Sequence, residues 1–152
     1  MAAITTFGST LKMGATGAGG VYAAATNAVG EIVSMNVDGL QASTIDITTI
    51  TDRFRKFIPG VIDSGTISVE VNVDPDDAQQ ASIIDLLDAT ASSTAPVAKS
   101  FLVEYGDTNN KGCKLECVGV VTGFSFKGAI DAALTASITI KLTGSLNFVD
   151  VD

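Results

Sequence analysis

The chain has 152 residues, 46% of them hydrophobic and 17% charged, and carries a formal net charge of −8 with no histidine. That length suits one domain spanning the whole chain, which can bury roughly 70% of its unfolded surface, and the hydrophobic content excludes intrinsic disorder. The missing histidine excludes Ser-His-Asp and Cys-His pairs and His-ligated zinc, and the acidic balance argues against wrapping nucleic acid. In chain order, residues 1–8 read as a flexible arm. Met13 to Gly30 is uncharged and superficially resembles a signal peptide or a short membrane span. However, Gly14, Gly17, Gly19, Gly20 and Gly30 interrupt it, Thr16, Thr26 and Asn27 are polar, and leucine is absent. A span needs about 20 predominantly apolar residues and a signal needs a compact apolar run. Residues 14–30 therefore read as a flexible Gly/Ala loop leading into a strand, and the protein as soluble and made in the cytoplasm. The glycines are not a dinucleotide fingerprint, because Tyr22 stands where the third glycine is needed.

Period-two alternation follows. Val33, Met35 and Val37 oppose Ser34, Asn36 and Asp38, and Ile45 and Ile47 oppose Asp46 and Thr48. Thr49 to Ser64 fits neither period and reads as a long loop. It holds three of the nine basic residues, Arg53, Arg55 and Lys56, interleaved with Phe54, Phe57 and Ile58. Basic and aromatic residues together could stack on nucleic acid, but in an acidic chain they point to protein docking, where Arg and aromatics are the usual anchors. The cleanest strand sets Ile67, Val69, Val71 and Val73 against Ser68, Glu70 and Asn72. A helix comes next, with Asp74 as N-cap, Pro75 at its first position, Asp76 and Asp77 at the positive end of the dipole, and Ile83, Ile84, Leu86 and Leu87 as its buried stripe. The three aspartates superficially resemble a calcium loop, but Pro75 and Ala78 break that pattern.

Further strands run through Phe101, Val103 and Tyr105, then Leu115 to Phe126, then Leu134 to Leu142, with turns at Gly106–Gly112 and Gly128–Asp131. Cys113 and Cys117 share a strand face about 13 Å apart, too far for a disulfide, and read as buried free thiols. With 7 Phe, 2 Tyr and no Trp amid abundant Val, Ile and Thr, the chain is mainly β. One apolar face and one polar face per strand marks antiparallel sheets half exposed to water. No pair of residues stands out as nucleophile and base, and neither a metal site nor a cofactor motif is present in the sequence.

Three motifs in order carry a family resemblance: Ile45-Asp46-Ile47-Thr48, then Phe57-Ile58-Pro59-Gly60-Val61-Ile62-Asp63-Ser64-Gly65, then Ile67 through Asp74-Pro75-Asp76. They resemble the tail tube (major tail) proteins of long-tailed bacteriophages, whose closing strands also resemble Ala132 to Phe148. The Met13–Gly30 segment and Arg53-Phe54-Arg55-Lys56 have no counterpart in the family pattern. The resemblance implies two packed antiparallel sheets with one flanking α-helix. Six subunits would form a ring whose inner sheets join into one barrel, closing the edges that an open sandwich leaves bare. Rings would stack into a tube through which DNA passes without specific binding. The implied setting is the virion tail, assembled in the host cytoplasm, with tail-tip, tape-measure and terminator proteins as partners and no membrane. Asp52, Arg53, Phe54, Arg55, Lys56 and Phe57 are the expected inter-ring contacts. Glu70, Glu104 and Glu116 are the expected lumen residues, with the lumen-facing side left open. The alternatives are the tube of a contractile injection or secretion system, a monomeric β-sandwich binding module (which would usually expose tryptophan) and an enzyme.

Overall fold

The computed structural model describes residues 8–16, 25–92, 98–107 and 111–151, so the expected arm over 1–8 lies outside the described residues except for Gly8. The elements are β1 (Thr10–Thr16), β2 (Ala25–Val29), β3 (Ile32–Asp38), β4 (Gln41–Asp46), β5 (Phe57–Asp63), β6 (Thr66–Asn72), α1 (Ala78–Ser92), β7 (Lys99–Asp107), β8 (Lys111–Lys127) and β9 (Thr135–Val151). They form two antiparallel sheets and one helix, as expected. The larger sheet has seven strands in the order β2-β1-β7-β8-β9-β6-β3, and the smaller one is the hairpin β4-β5.

Topology forces the large sheet to close around its own core. β2 and β3 lie at its opposite edges, yet only Gly30 and Glu31 connect them. Laid flat, seven strands spaced about 4.8 Å apart would separate those edges by roughly 29 Å, whereas three Cα steps reach about 11 Å. The sheet must therefore curl, and the Tyr105 hydroxyl on β7 donates to the Met35 carbonyl on β3 at 3.2 Å across the three strands between them. The 17-residue strands β8 and β9 run through both halves, bending at register shifts between Glu116 and Val118 and between Val121 and Gly123. Alternation delivers the core from both halves: Leu11, Phe101 and Val103 from one, and Ile67, Val69, Val71, Ile138 and Ile140 from the other, joined by Ile83 of the helix. Each such side chain contributes about 1.5–3 kcal/mol by burial.

The helix is pinned where β2 passes to β3. Asp77 is its N-cap: one carboxylate oxygen accepts from the Gln79 amide at 2.9 Å and the other from the Gly30 amide at 2.8 Å. Buried Gln80 donates to the carbonyls of Gly30 at 3.3 Å and Asn72 at 3.0 Å and accepts from the Asp74 amide at 3.1 Å. A Cβ at Gly30 would sit 2.7 Å from the Asp77 carboxylate, so a side chain there would displace the cap.

Several sequence expectations are corrected. Asp74 is not the cap; it opens the preceding turn, accepting from the Asp76 amide at 3.0 Å, and the helix starts three residues later than its acidic signal. Ile84 is exposed, because the buried face is carried by Ile83 with Leu86 and Leu87 partly covered. Val33 is also exposed, since the register shifts between Ile32 and Ser34 and Ile32 takes the core side. The stretch 14–30 is strand at both ends, through Thr16 and from Ala25, with residues 17–24 outside the described residues. Thr49–Ser64 is not all loop: Phe57–Asp63 is β5, paired with β4. Its period was hidden because both of its faces are exposed, and Pro59 is tolerated because a two-stranded ribbon has only edges. Leu134 lies just before the last strand and is exposed.

Candidate assembly surfaces

The β4-β5 hairpin is an arm projecting from the body. It continues the β3-β6 ladder beyond Asp38 and Thr66, and its root passes through Gly39 at φ 85° and Gly65 at φ 92°. A Cβ at Gly65 would overlap the Asp38 carbonyl oxygen, so the two chains cross there only as glycine allows. Asp63 fixes the root by accepting from the Gly65 amide at 2.9 Å and from Lys141 at 2.8 Å, and the Ser64 hydroxyl donates to the Gly144 carbonyl. These contacts hold the Asp63 carboxyl below the usual carboxylate range, the Lys141 hydrogen bond contributing most.

Beyond the root, every residue of β4 is exposed, and of β5 only Gly60 is partly covered. Ile45 and Ile58 pair on one face and Phe57 stands on the other, while Val61 is 84% exposed. An isolated two-stranded hairpin is marginal in water, and apolar residues bare on both faces mark a segment that buries itself against a partner. The tip is internally stapled. Asp52 accepts from the Thr49 amide and hydroxyl, each at 2.9 Å, and from Lys56 at 2.6 Å, and Thr48 accepts from the Lys56 amide at 2.9 Å. Asp52 is held below the usual carboxylate range, first by Lys56 and then by Thr49. The staple presents Arg53, Phe54 (85% exposed) and Arg55 outward, and neither arginine has an ion pair among the described residues. The six residues expected at this loop, Asp52 to Phe57, thus divide: Asp52 and Lys56 order the tip, Arg53, Phe54 and Arg55 face outward, and Phe57 begins β5.

The three glutamates offered as lumen candidates fall on two different halves of the sheet. Glu70 lies on a polar face formed by β3, β6, β9 and the end of β8, beside a shallow groove of about 310 Å³ flanked by Ser34, Asn36, Ser68, Ser137 and Thr139. Asp38, Lys127 and Lys141 share its alternation and Asp63 pairs with Lys141, so three acids against two bases leave this hydroxyl-rich face close to neutral with no excess of base. Glu104 and Glu116 lie on the other half of the sheet. Glu116 accepts from Asn147 at 2.8 Å. Glu104 is 3% exposed, held by Thr10 at 3.2 Å, Lys12 at 3.3 Å and Lys114 at 3.7 Å, so it is an enclosed ion cluster rather than a bare wet-face charge. Alternation could not show this, because the lysines come from β1 and β8. Cys117 is buried, its thiol pushed up to about 12 by desolvation, while Cys113 is partly exposed; both are free.

Among the described residues, the bare backbone edges include one on each side of the half-sheet made by the end of β8, β9, β6 and β3. β3 pairs only with β6, and β8 has no partner on its β7 side after Gly119. Sequence alternation could not reveal these edges, which depend on strand order.

The fold is shared with solved assemblies. A chain from the extended sheath–tube complex of an extracellular contractile injection system (PVC) matches with a TM-score of 0.73 and 11% identity, covering 98% of this chain and 93% of that one. The tail of an empty gene transfer agent particle, with C6 symmetry, matches at 0.63 and 16% identity over 92% and 94%. The SPP1 tail tube matches at 0.61 and 14% identity over 94% and 76%. At these identities the likeness is one of fold. No curated protein matches the sequence. The family model for the phage tail tube, lambda-like, matches residues 15–150, and the chain belongs to that family of tail tube proteins.

Proposed function

We propose that this chain is a structural subunit that assembles into six-membered rings stacked as a phage tail tube, through which DNA travels. The observation that carries the reading is the β4-β5 arm, which is exposed along both faces and apolar on both. Such an arm fits a position between subunits. The bare β3 edge (residues 32–38) and the bare end of β8 (residues 120–127) are nearly equal in length and lie at the two sides of the same half-sheet. Pairing one subunit's β3 with the next subunit's β8 repeats head to tail and closes a ring. It also removes both edges. The Ser/Thr-rich face carrying Glu70 then lines the lumen, where a nearly neutral, hydroxylated wall offers DNA phosphates no cationic trap. The chain's role is that of a building block rather than a catalyst, within a virion tail assembled in the host cytoplasm. Tail-tip, tape-measure and terminator proteins are its partners at the tube ends and inside. The family match favours the phage tube over an injection-system tube.

The test is sedimentation velocity across a concentration series. The native chain should form large species, and Phe54→Asp/Val61→Asp should stay a folded monomer, since both side chains are exposed. A variant that assembles like the native chain would remove the arm from the interface.

A further inference from the structure

The arm needs a receiving surface, and the two ends of β6 show where it lies. The arm leaves the sheet at Thr66, whereas Asn72 at the far end of β6, roughly 20 Å away along the strand, leads into the turn before the helix. At that far pole the Asn72 amide donates to the Glu31 carbonyl at 2.8 Å and the Val73 amide to the Leu134 carbonyl at 2.9 Å. This gathers the β2-β3 connection, the helix entry and the β8-β9 turn into one surface. Its apolar floor is Ile130, 95% exposed, with Leu134 also exposed. Around the floor stand Glu31, Asp76 and Asp131, all exposed, with Asp74 half-buried beside them, and they outnumber the base at this end, exposed Lys127 at the close of β8. The charge bias continues into the helix: residues 74–98 hold five aspartates and no Lys or Arg. The arm tip is the inverse, an exposed Phe54 between Arg53 and Arg55.

We propose that this acid-rimmed apolar pole is the receptor for the arm tip of a second copy of the chain. Phe54 of one copy packs on Ile130 and Leu134 of the next, while Arg53 and Arg55 meet the Glu31, Asp74, Asp76 and Asp131 rim. Because tip and receptor occupy opposite ends of the same subunit, the contact is heterologous and propagates along one axis instead of closing on itself. The subunit is thus a charge-polarised block whose basic end seeks its acidic end, which fixes the stacking direction. The proposal rests on the reading that copies stack end to end.

The test is a charge swap at exposed positions. Arg53→Glu/Arg55→Glu and Glu31→Arg/Asp76→Arg should each melt like the native protein and each raise the concentration needed for tube formation at least about tenfold. The variant combining all four changes should form tubes again within about threefold of the native concentration, because its ends are complementary once more. If the double variants assemble normally, or the combined variant is no better than the doubles, the receptor assignment fails while the tube reading stands. A native chain that stays monomeric at every concentration overturns both.

Discussion

Replacing Gly65 by alanine tests the root of the arm, where backbone geometry rather than side-chain packing sets the structure. Gly65 has φ 92°, and an added Cβ would overlap the Asp38 carbonyl oxygen and lie 2.9 Å from the carbonyl carbon of Gly39. The left-handed backbone alone costs alanine about 1–2 kcal/mol. The clash adds to this because its other side is backbone, held by the β3-β6 ladder through the Asp38–Thr66 pair. A total of about 3–4 kcal/mol is a large share of the roughly 5–15 kcal/mol that holds a domain together. At about 2–4 °C per kcal/mol for a chain of this size, the melting temperature should fall by roughly 6–16 °C in a calorimetric scan. Gly123→Ala is the control: its Cβ would meet Thr139 at 3.5 Å, an ordinary contact, and φ is not positive. Removing a strand glycine there should leave stability unchanged or raise it by about 0.5–1 kcal/mol. If Gly65→Ala melts with the native protein, the two glycines do not form the crossing described here.

Val71 is fully buried between Ile32 and Ala136, so Val71→Asp should unfold or aggregate the chain, and a soluble cooperative variant in circular dichroism would refute the register. Glu70→Lys should still assemble but slow DNA ejection, most at low salt where screening is weakest; a normal ejection rate would move that face away from the lumen. Glu104→Lys should instead fail at folding, losing about 3–5 kcal/mol by placing a third lysine against Lys12 and Lys114; unchanged denaturant midpoints would contradict the enclosed cluster. The folded pKa of Asp52 is depressed, so its hold on the arm tip is complete above the ordinary carboxylate range and is lost as pH falls through the lower folded value. The Thr49 amide should therefore keep its exchange protection and chemical shift down through the ordinary carboxylate range and lose them only below it.

The body of the fold was legible where one face of a strand is buried and the other wet. Ile67, Val69 and Val71 stand in the core with Glu70 outside, as period two required. β5 was illegible for the opposite reason: in the isolated chain neither face is covered, so Phe57, Ile58, Val61 and Ile62 follow no single-face pattern. The helix was legible as an element but misplaced at its start, because Asp74, Asp76 and Asp77 are equivalent as caps until the Gly30 amide selects Asp77. The basic-aromatic tip was visible from composition, and the structure leaves Arg53, Phe54 and Arg55 exposed. Its internal staple was not, and neither was the proposed receptor, since Glu31, Asp76 and Asp131 are far apart in sequence and share one end of the sheet only through strand order. Glu104 shows the same limit, as alternation assigns a side of the sheet but not the lysines beside it.

End-on averages from electron microscopy of the purified protein decide whether this chain builds a tube from rings of six. Stacked rings with six-fold symmetry and an open centre are expected, their walls joined between the β3 edge and the end of β8. A particle that remains a monomer at every protein concentration would contradict it.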